Sequence, residues 1–386
     1  MNSQEKVLIV RLDGIGDYVL FRNVLRFIRN SARYRNANIS ILGNPLWRNL
    51  AESFDADCAD NWIWLENRGK FFKKSIENLV PGLIWRRRVE AAQSSLRRRL
   101  REMRFDAVIS PQPIRDPLLD RLVSGIAPKT IGVKSGTSLE TDSLYTELID
   151  AGVIPFVFER NRVFASRLTS EPCDVKLEMR HSKQGLSEKR VFLCLGASHW
   201  TKILPTRHYL DVCNLILDQT QHSIFITGTK SDARVANYIV DKCIDASRVT
   251  SLVGKLSLAE FAQKISSAIC AICNDTGSMH IAAAIGVPVV CIANGIIGKD
   301  AFWPYPDNRI DLVLPPHTPK RLSALLPIAQ LQTYTAFAAI KAMDIFNAFL
   351  DCEQKAQAQE LMDTIHRNSR HFGTINWTRD ELHERN

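Results

Sequence analysis

The sequence lacks both a secretory leader and an apolar run long enough to cross a membrane. Residues 1–6 pass directly into an apolar strand, without the apolar core and cleavage site of a signal peptide. The longest apolar stretch, residues 281–297, is interrupted by a glycine, a proline and an asparagine. We therefore expect a cytoplasmic protein that is either soluble or peripherally bound to the cytoplasmic face of the inner membrane.

Signs of disulfides and of metal sites are also missing. The nine cysteines are an odd number spread through predicted strands and helices, which fits reduced thiols. Cys270 and Cys273 form a C-x-x-C without the second ligand pair that zinc needs, so we expect both sulfurs to pack within a strand. Asp55 and Asp57 lack the glycine and final glutamate of a calcium loop, and we interpret them as a solvated loop. We predict no metal site and no cofactor.

Signatures of nucleic-acid and dinucleotide binding are absent as well. The formal net charge is +9, but no zinc-finger spacing, RNA-recognition signature or basic heptad region accompanies it. Gly14 and Gly16 lack the third glycine of G-x-G-x-x-G, which disfavours dinucleotide-dependent oxidoreduction. We therefore expect no nucleic-acid partner and no nicotinamide chemistry.

The positive charge is concentrated in residues 86–104, which contain eight arginines and two glutamates. Apolar residues recur there at three- and four-residue steps, which predicts an amphipathic helix flanked by arginine. With the aromatic and basic residues of 62–74, this pattern is typical of a surface that meets anionic lipid or phosphorylated glycolipid. It also fits a charged helix docked on its own domain. We predict that Arg97, Arg98 and Arg99 face the membrane or the acceptor.

Short apolar strands alternate with helix-sized segments in both halves of the chain, which predicts two α/β domains with parallel sheets. The expected strands are 7–10, 39–42 and 107–110 in the first half, and 191–195, 223–227, 248–252, 268–273 and 289–292 in the second. A polar stretch at 170–190 is interpreted as the linker. The predicted units are an N-terminal α/β domain (1–180), a C-terminal α/β domain (190–345) and a helical tail (346–386).

Three loops that follow strands combine glycines, hydroxyls and charges. Residues 13–17 form a glycine-rich turn that opens a helix, and residues 196–202 form a small polar loop. Residues 275–280 place a carboxylate, a hydroxyl, a glycine and an imidazole at a helix start, where free N–H groups suit a phosphate or diphosphate. Ordinary helix capping by Asp275 or Thr276 would explain the same residues. Ligands of open α/β sheets bind beyond the carboxyl ends of strands, so we expect the chemistry at these loops.

Together these segments resemble glycosyltransferase family 9, the heptosyltransferase-type enzymes that build the lipopolysaccharide core. The matching motifs are Gly16-Asp17 after the opening strand, the loop from Lys202 to Pro205, and Asp275-Thr276-Gly277 with His280. Weaker likenesses lie at residues 227–232 and 252–258, so the resemblance spans about residues 7–310. It implies a GT-B-like fold, in which two Rossmann-like domains face each other across a cleft and C-terminal helices return over the junction.

The sequence departs from the family pattern at three places. Asp13 stands where small polar residues are usual, Asp232 stands where glutamate is usual, and the loop 296–305 differs from that of heptosyltransferases. The resemblance therefore implies an inverting, metal-independent transfer of heptose or a related sugar. The implied donor is a nucleotide-diphosphate sugar, and the implied acceptor is a lipopolysaccharide-core or similar anionic glycolipid.

Such a transfer needs a base for the acceptor hydroxyl and stabilisation of the departing diphosphate. The resemblance makes Asp17 the expected base, although its carboxylate would also suit a helix cap. Asp13 is the alternative, because two carboxylates around one turn would repel and raise the pKa of one of them.

Donor binding is expected in the second domain. Lys202 would bind phosphate, and Thr276 and Gly277 would offer hydroxyl and backbone donors. His280 would bond to phosphate or sugar, or would simply pack. The other candidates are Ser198 and Thr201 beside the phosphate loop, Asp275 in the first helical turn, Asp232 for a ribose hydroxyl pair, and Leu256 against the nucleobase by motif position.

Two other functional classes remain open. A nucleotide-sugar epimerase can use the same two-domain scaffold, and it would consume donor without any acceptor. A non-catalytic glycan- or lipid-binding module would bind nucleotide weakly or not at all.

Overall fold

The protein is described from a computed structural model. It covers residues 4–66, 82–179, 190–197, 199–294, 310–316, 334–335 and 337–369, and of residues 82–89 and 359–369 it describes the backbone alone.

The N-terminal half folds around a parallel sheet. Its strands, within the described ranges, are β1 (Lys6–Arg11), β2 (Asn38–Gly43), β3 (Asn61–Trp64), β4 (Ala107–Ser110), β5 (Lys129–Val133) and β6 (Glu147–Ile149). They lie in the order β3-β2-β1-β4-β5-β6, and every neighbouring pair is parallel. The helices are α1 (Ile15–Asn30), α2 (Arg48–Phe54), α3 (Gly82–Glu102), α4 (Pro117–Val123) and α5 (Val157–Thr169). The strand order reverses between β1 and β4, at the centre of the sheet.

The C-terminal half repeats this arrangement. Its strands are β7 (Arg190–Cys194), β8 (Ser223–Thr227), β9 (Val249–Ser251), β10 (Cys270–Asn274), β11 (Val289–Ile292) and β12 (Ile310–Val313), in the order β12-β11-β10-β7-β8-β9. The helices are α6 (Thr206–Gln219), α7 (Ala233–Lys242), α8 (Leu258–Ile265), α9 (Gly277–Ile285) and α10 (Ala342–Ser369). Here the order reverses between β7 and β10. The prediction of two α/β domains with parallel sheets is confirmed.

The apolar strands are buried on both faces because helices cover both sides of each sheet. Along β1, Val7 and Ile9 join one cluster, whereas Leu8 and Val10 join another on the opposite face. The first cluster lies between the two sheets and includes α1, α5, α8 and α9, so both domains share it. The outer faces are covered by α3 and α4 on the first sheet and by α6 and α10 on the second.

The C-x-x-C does not form a single site. Cys270 belongs to the outer cluster of the second sheet, and Cys273 belongs to the shared inner cluster. Residues three apart on a strand point to opposite faces, which separates the two sulfurs. Each of the nine cysteines is a free thiol. The expectation that both sulfurs pack within a buried strand is confirmed.

The tryptophans of β3 are half-buried and pack on the shared inner cluster, so they are not free aromatic side chains of a lipid-facing surface. The ring centroids of Trp62 and Trp64 lie 6.3 and 5.1 Å from that of Trp47, which is fully buried. Trp47 in turn stacks on Tyr18 at 4.1 Å. The alternation of the two tryptophans reflects the period of a strand packed against α1 and the start of α2. The remaining aromatic and basic residues of that stretch, within 67–81, lie outside the described residues.

Asp55 is likewise buried, so its interpretation as part of a solvated loop is wrong. Arg22 of α1 bonds both of its oxygens, with Nε 3.0 Å from Oδ2 and Nη2 2.7 Å from Oδ1. The hydroxyl of Tyr18 donates to Oδ2 at 2.8 Å. Asp57 is exposed and pairs with Arg26. The sequence around Asp55 gives no sign of partners that lie more than thirty residues earlier.

Candidate active site

The predicted site residues lie beyond the carboxyl ends of the central strands of both sheets. Residues 12–14 connect β1 to α1, whose first turn contains Asp17, and residues 275–276 connect β10 to α9. These are the points at which the strand order reverses, where open α/β sheets bind ligands. Helices α1 and α9 contact each other, so the two turns meet at the junction of the domains.

Two glycines allow the turns to approach this closely. A Cβ atom at Gly16 would lie 2.5 Å from Cδ2 of His280, and one at Gly277 would lie 2.7 Å from Cβ of Ile15. Real Cβ atoms do not come so near to other atoms, so a side chain at either position would push the turns apart. Gly277 therefore permits close approach of the other domain, in addition to its predicted role in approaching a ligand.

Asp17 lies in the first turn of α1. Its Oδ2 accepts a hydrogen bond from the backbone N–H of Gly14 at 3.1 Å, so it does contribute a helix cap. A carboxylate accepts several hydrogen bonds, and the cap does not occupy the whole group. Asp17 is only partly buried and contributes to the electrostatic field at His280 of the other domain.

Asp13 is engaged by a buried arginine. Its Oδ2 lies 3.0 Å from Nε of Arg11, and the two side chains are 20% and 1% exposed. The sequence argument considered only the repulsion between Asp13 and Asp17. Because a guanidinium lies against Asp13, that repulsion is not the dominant electrostatic feature of the turn.

Lys202 reaches the opposite turn of its own domain. Its Nζ lies 2.8 Å from Oδ2 of Asp275 and 3.4 Å from the backbone oxygen of that residue. Lys202 ends the short helical turn Trp200–Lys202 after β7, and Asp275 follows β10. The segments that follow the two central strands of the second sheet, β7 and β10, therefore each contribute one charged side chain to this ion pair.

His280 is buried where the groups of both domains converge. Burial lowers the pKa of His280 to about 4, the charge of Lys202 also lowers it, and the carboxylates of Asp275 and Asp17 partly oppose this. The imidazole is therefore neutral near pH 7. A neutral imidazole has one donor and one acceptor nitrogen, which allows the hydrogen bonding to phosphate or sugar that was predicted. The packing alternative also holds, because the ring lies against Gly16.

The hydroxyls predicted near the donor have partners in the second domain. Thr276 Oγ1 lies 2.8 Å from Ser278 Oγ at the start of α9. Thr201 is buried, its hydroxyl lies 2.8 Å from Nδ1 of His199, and its carbonyl accepts a hydrogen bond from Asn294 at 3.2 Å. Ser198 lies outside the described residues.

Asp232 lies beside the loops that follow β7 and β8. Its Oδ2 accepts hydrogen bonds from the backbone N–H and the hydroxyl of Thr229, at 2.7 and 2.8 Å. Cβ atoms placed at Gly196 and Gly228 would lie 3.2 and 2.8 Å from the same oxygen. Leu256, predicted to contact the nucleobase, is half-buried against the shared inner cluster.

Arg11 and Asn44 are site residues that the sequence argument missed. Arg11 ends β1, and Asn44, which follows β2, donates to the backbone oxygens of Leu12 and Asp13 at 3.2 and 2.9 Å. The available signal for Arg11 was a single charged residue at the end of an otherwise apolar strand.

The arginines of α3 divide into two groups. Arg97 is half-buried and donates to the carbonyl oxygens of Leu122 and Arg121, at the end of α4. Burial lowers its pKa. Arg98 and Arg99 are exposed. Arg97 therefore docks the helix on its own domain, whereas the side chains of Arg98 and Arg99 are exposed to solvent.

Two kinds of feature are absent from the described part of the chain. None of its helices is both long enough and apolar enough to cross a membrane. It also contains no cluster of three or more histidine, cysteine, aspartate or glutamate side chains that could hold a metal ion.

Residues 164–294, from α5 to the loop after β11, match the family model of Glycosyltransferase family 9 (heptosyltransferase). This part of the chain is therefore similar to a glycosyltransferase family 9 domain. This match includes Lys202, Asp232 and the turn from Asp275 to His280, and it confirms the resemblance and the prediction of a glycosyltransferase at the level of the family. No curated protein sequence matches the chain.

Solved structures share the fold of both halves of the chain. The glycosyl transferase family 9 from Veillonella parvula DSM 2008 has a TM-score of 0.70 and 16% identity, covering 92% of this chain and 99% of its own. The E. coli ADP-heptose lps heptosyltransferase II has a TM-score of 0.58 and 18% identity, and the similarity covers 86% of this chain and 98% of that one. A putative UDP-N-acetylglucosamine 2-epimerase from Listeria monocytogenes has a TM-score of 0.53 and 9% identity, and the similarity covers 92% of this chain and 91% of that one. These similarities establish the GT-B-like fold of two facing α/β domains.

Proposed function

We propose that this protein is an inverting, metal-independent glycosyltransferase. It moves heptose or a related sugar from a nucleotide-diphosphate donor to a lipopolysaccharide-core or similar anionic glycolipid. The observation that carries the proposal is the meeting of two strand-end turns from different domains. The turn with Asp17 lies against His280, and the charges of the Lys202–Asp275 pair act on the same ring.

The proposed chemistry divides between the domains. The acceptor binds the N-terminal domain (1–180) and its hydroxyl oxygen attacks the anomeric carbon, while the hydroxyl proton passes to the carboxylate of Asp17. The bond between the anomeric carbon and the phosphate oxygen breaks, and the electron pair leaves with the nucleoside diphosphate. Lys202 and the first N–H groups of α9, in the C-terminal domain (190–345), stabilise the negative charge that develops on that diphosphate. Because a cation and a helix N-terminus are already present, no divalent metal is required.

The donor and the cellular location are proposed on separate grounds. The E. coli relative in fold is named for ADP-heptose, so ADP-heptose is the first donor to test, followed by GDP-, UDP- and CDP-sugars. The exposed Arg98 and Arg99 support attachment to the anionic cytoplasmic face of the inner membrane. The epimerase alternative has support from fold likeness alone. It predicts conversion of the donor when no acceptor is present.

A binding and turnover experiment on two variants tests this assignment. The wild type should be stabilised by its donor, since a ligand at 100 times its Kd adds roughly 2.7 kcal/mol to the free energy of unfolding. Asp17→Asn should bind donor normally but lose about 10²–10⁴-fold in kcat, because general-base assistance is removed. Lys202→Ala should instead weaken donor binding by about tenfold or more, because a charge-assisted contact to phosphate is lost.

Calorimetry of donor binding and mass analysis of the acceptor product measure both quantities. A Thr276→Val variant is a second probe of the donor turn and should weaken binding to a smaller degree. Full turnover in Asp17→Asn together with an inactive Asp13→Asn enzyme would transfer the base role to Asp13. Unchanged donor affinity in both Lys202→Ala and Thr276→Val would remove the phosphate site from this turn, and donor conversion without acceptor would favour an epimerase.

A further inference from the structure

A buried arginine underlies the turn that carries Asp13 and Asp17. Arg11 is 1% exposed, and each of its guanidinium nitrogens has a contact. Nη1 donates to the carbonyl of Pro111 at 2.7 Å, Nη2 donates to the carbonyl of Asp17 at 3.2 Å, and Nε lies 3.0 Å from the Asp13 carboxylate. The guanidinium carbon also lies 4.5 Å from the ring centre of Phe21. The planar fork of arginine suits such a fixed arrangement, and lysine could not reproduce it.

These contacts join segments that follow different strands. Asp13 and Asp17 follow β1, whereas Pro111 follows β4, the strand on the other side of the point where the order reverses. Asn44, which is 1% exposed, holds the backbone of the same turn from the end of β2. Arg11 and Asn44 therefore fix the position of the turn relative to the sheet.

The same contacts restrict what Asp13 can do. A buried guanidinium needs a compensating charge, because an unpaired ion is costly to keep away from water. The carboxylate against Arg11 is that of Asp13. If Asp13 took up a proton from the acceptor, Arg11 would lose this counter-ion at the moment of reaction. The carboxylate of Asp17 is not the counter-ion of Arg11, since the guanidinium contacts only the backbone oxygen of Asp17.

We propose that Arg11 is a positioning residue of the transfer reaction, which neutralises Asp13 and fixes the turn so that Asp17 alone acts as the base. This proposal rests on the glycosyltransferase function proposed above. It also gives a reason for an aspartate at position 13, which is the counter-ion of Arg11 and not a second base.

The proposal predicts a change in the pH dependence of the reaction. Among the described residues, the charged or titratable groups at this junction include Arg11 and Asp13 on the side of Asp17, and His280 with the Lys202–Asp275 pair on the other. Removal of Arg11 leaves the negative charge of Asp13 uncompensated, and the carboxylate of Asp17 then retains a proton to higher pH. Since the base must be ionised, the acidic limb of the pH profile moves to higher pH.

The test is the profile of kcat/KM against pH for the full chain with its identified donor and acceptor. In Arg11→Met we expect the acidic limb to rise by about one pH unit, which is the usual effect of a nearby charge. The double variant Arg11→Met with Asp13→Asn should return the limb to the wild-type position, because the uncompensated charge is gone. Arg11→Lys keeps the charge, so it should keep the limb while kcat falls.

Arg22→Met is the matched control. Arg22 is also a buried arginine paired with a buried aspartate, but its partners are Asp55 and the backbone oxygen of Glu178, not the carboxylates of the turn. Its loss should lower stability without moving the acidic limb. A limb that stays in place in an active Arg11→Met enzyme, or one that stays displaced in the double variant, would overturn the proposal. A wild-type chain that transfers no sugar from any donor would instead contradict the proposed function itself.

Discussion

The imidazole of His280 links the charges of the site to the stability of the fold. The pKa of His280 is lowered from 6.5 to about 4, and burial is the largest cause of this shift. In the unfolded chain the ring regains its ordinary pKa, so between these two values the unfolded state binds a proton that the folded state does not. Acid therefore favours unfolding in this interval, and the stability contributed by the neutral ring is lost as the pH falls.

Replacing His280 with glutamine should remove this pH dependence while keeping a polar side chain of similar reach. The free energy of unfolding of the wild type should fall relative to that of His280→Gln as the pH drops from about 6.5 to about 4, with a slope of up to about 1.4 kcal/mol per pH unit. Urea unfolding at a series of pH values measures the difference, and the carboxylates common to both proteins cancel. Parallel curves for the two proteins would contradict a buried neutral histidine at the junction.

Individual site residues differ in how far the sequence could predict them. Asp17, Lys202 and the turn at Asp275 stand in recognisable motifs, and the structure places them at strand ends as expected. Arg11 stands in none. Its role depends on which carboxylate and which carbonyl it faces, and one of its partners, Pro111, is 100 residues away. Local sequence contains no information about such contacts.

At the scale of elements, the starts of α1 and α9 are in van der Waals contact. Gly277 meets Ile15 at this point, and an added Cβ would lie 2.7 Å from the Cβ and Cγ2 atoms of Ile15. In an exposed helix, alanine is more favourable than glycine by roughly 0.8–1 kcal/mol. Here the overlap with a neighbouring helix opposes that preference, and overpacking of this kind typically costs about 1–3 kcal/mol.

We therefore expect Gly277→Ala to destabilise the protein and to lower turnover, because the two turns of the site are displaced from each other. Adding Ile15→Ala should restore part of the lost stability, since it removes the atoms that the new methyl group meets. Gly136→Ala is the control, because a Cβ at Gly136 would meet nothing within 4 Å. Denaturant unfolding of the single and double variants gives the coupling energy. Strictly additive effects would show that the helix contact does not determine the cost.

The strands that were predicted and those that were missed differ in composition. β1, β2, β4, β7, β8, β10 and β11 are mostly buried apolar runs and were predicted to within about two residues, and the shorter β9 was predicted at 248–252. β3, β5, β6 and β12 were missed. β5 and β6 begin with exposed charged residues, and β12 is half-buried along most of its length. β3, β6 and β12 are edge strands that bury few side chains, and β5 is mostly buried but contains a lysine, a threonine and a glycine, so the hydrophobic signal of each is weak.

At the scale of the whole molecule, the two domains are joined by more than the chain connection. The backbone N–H of Ala259 in α8 donates to Asn49 of α2 at 3.1 Å. Met179, from the segment after α5, donates its N–H to the carbonyl of Ala284 in α9 at 2.7 Å. Together with the shared inner cluster, these contacts hold the two reversal points of strand order against each other. The motifs predicted the two turns, but the packing that brings them together involves residues far apart in the sequence.

The proposed attachment to a membrane is also a property of the whole surface. Arg98 and Arg99 are exposed on α3, whereas Arg97 of the same helix donates to carbonyl oxygens of α4. Basic side chains near an anionic bilayer contribute about 1 kcal/mol each. The double variant Arg98→Gln with Arg99→Gln should therefore bind vesicles that contain phosphatidylglycerol about thirtyfold more weakly than the wild type.

A pair of exposed arginines on the other domain separates a local effect from one of total charge. Arg207 in α6 and Arg234 in α7 are both exposed, and changing them to glutamine removes the same two charges. If α3 is the surface that meets the membrane, the Arg207 and Arg234 variant should keep nearly all of its affinity, because charges beyond a Debye length from the bilayer are screened. Co-sedimentation with vesicles at two salt concentrations measures both variants. Equal losses of vesicle affinity in the two variants would show that the attraction depends on net charge. Binding that is insensitive to salt and that neither variant weakens would remove the electrostatic basis for placing this protein at the membrane surface.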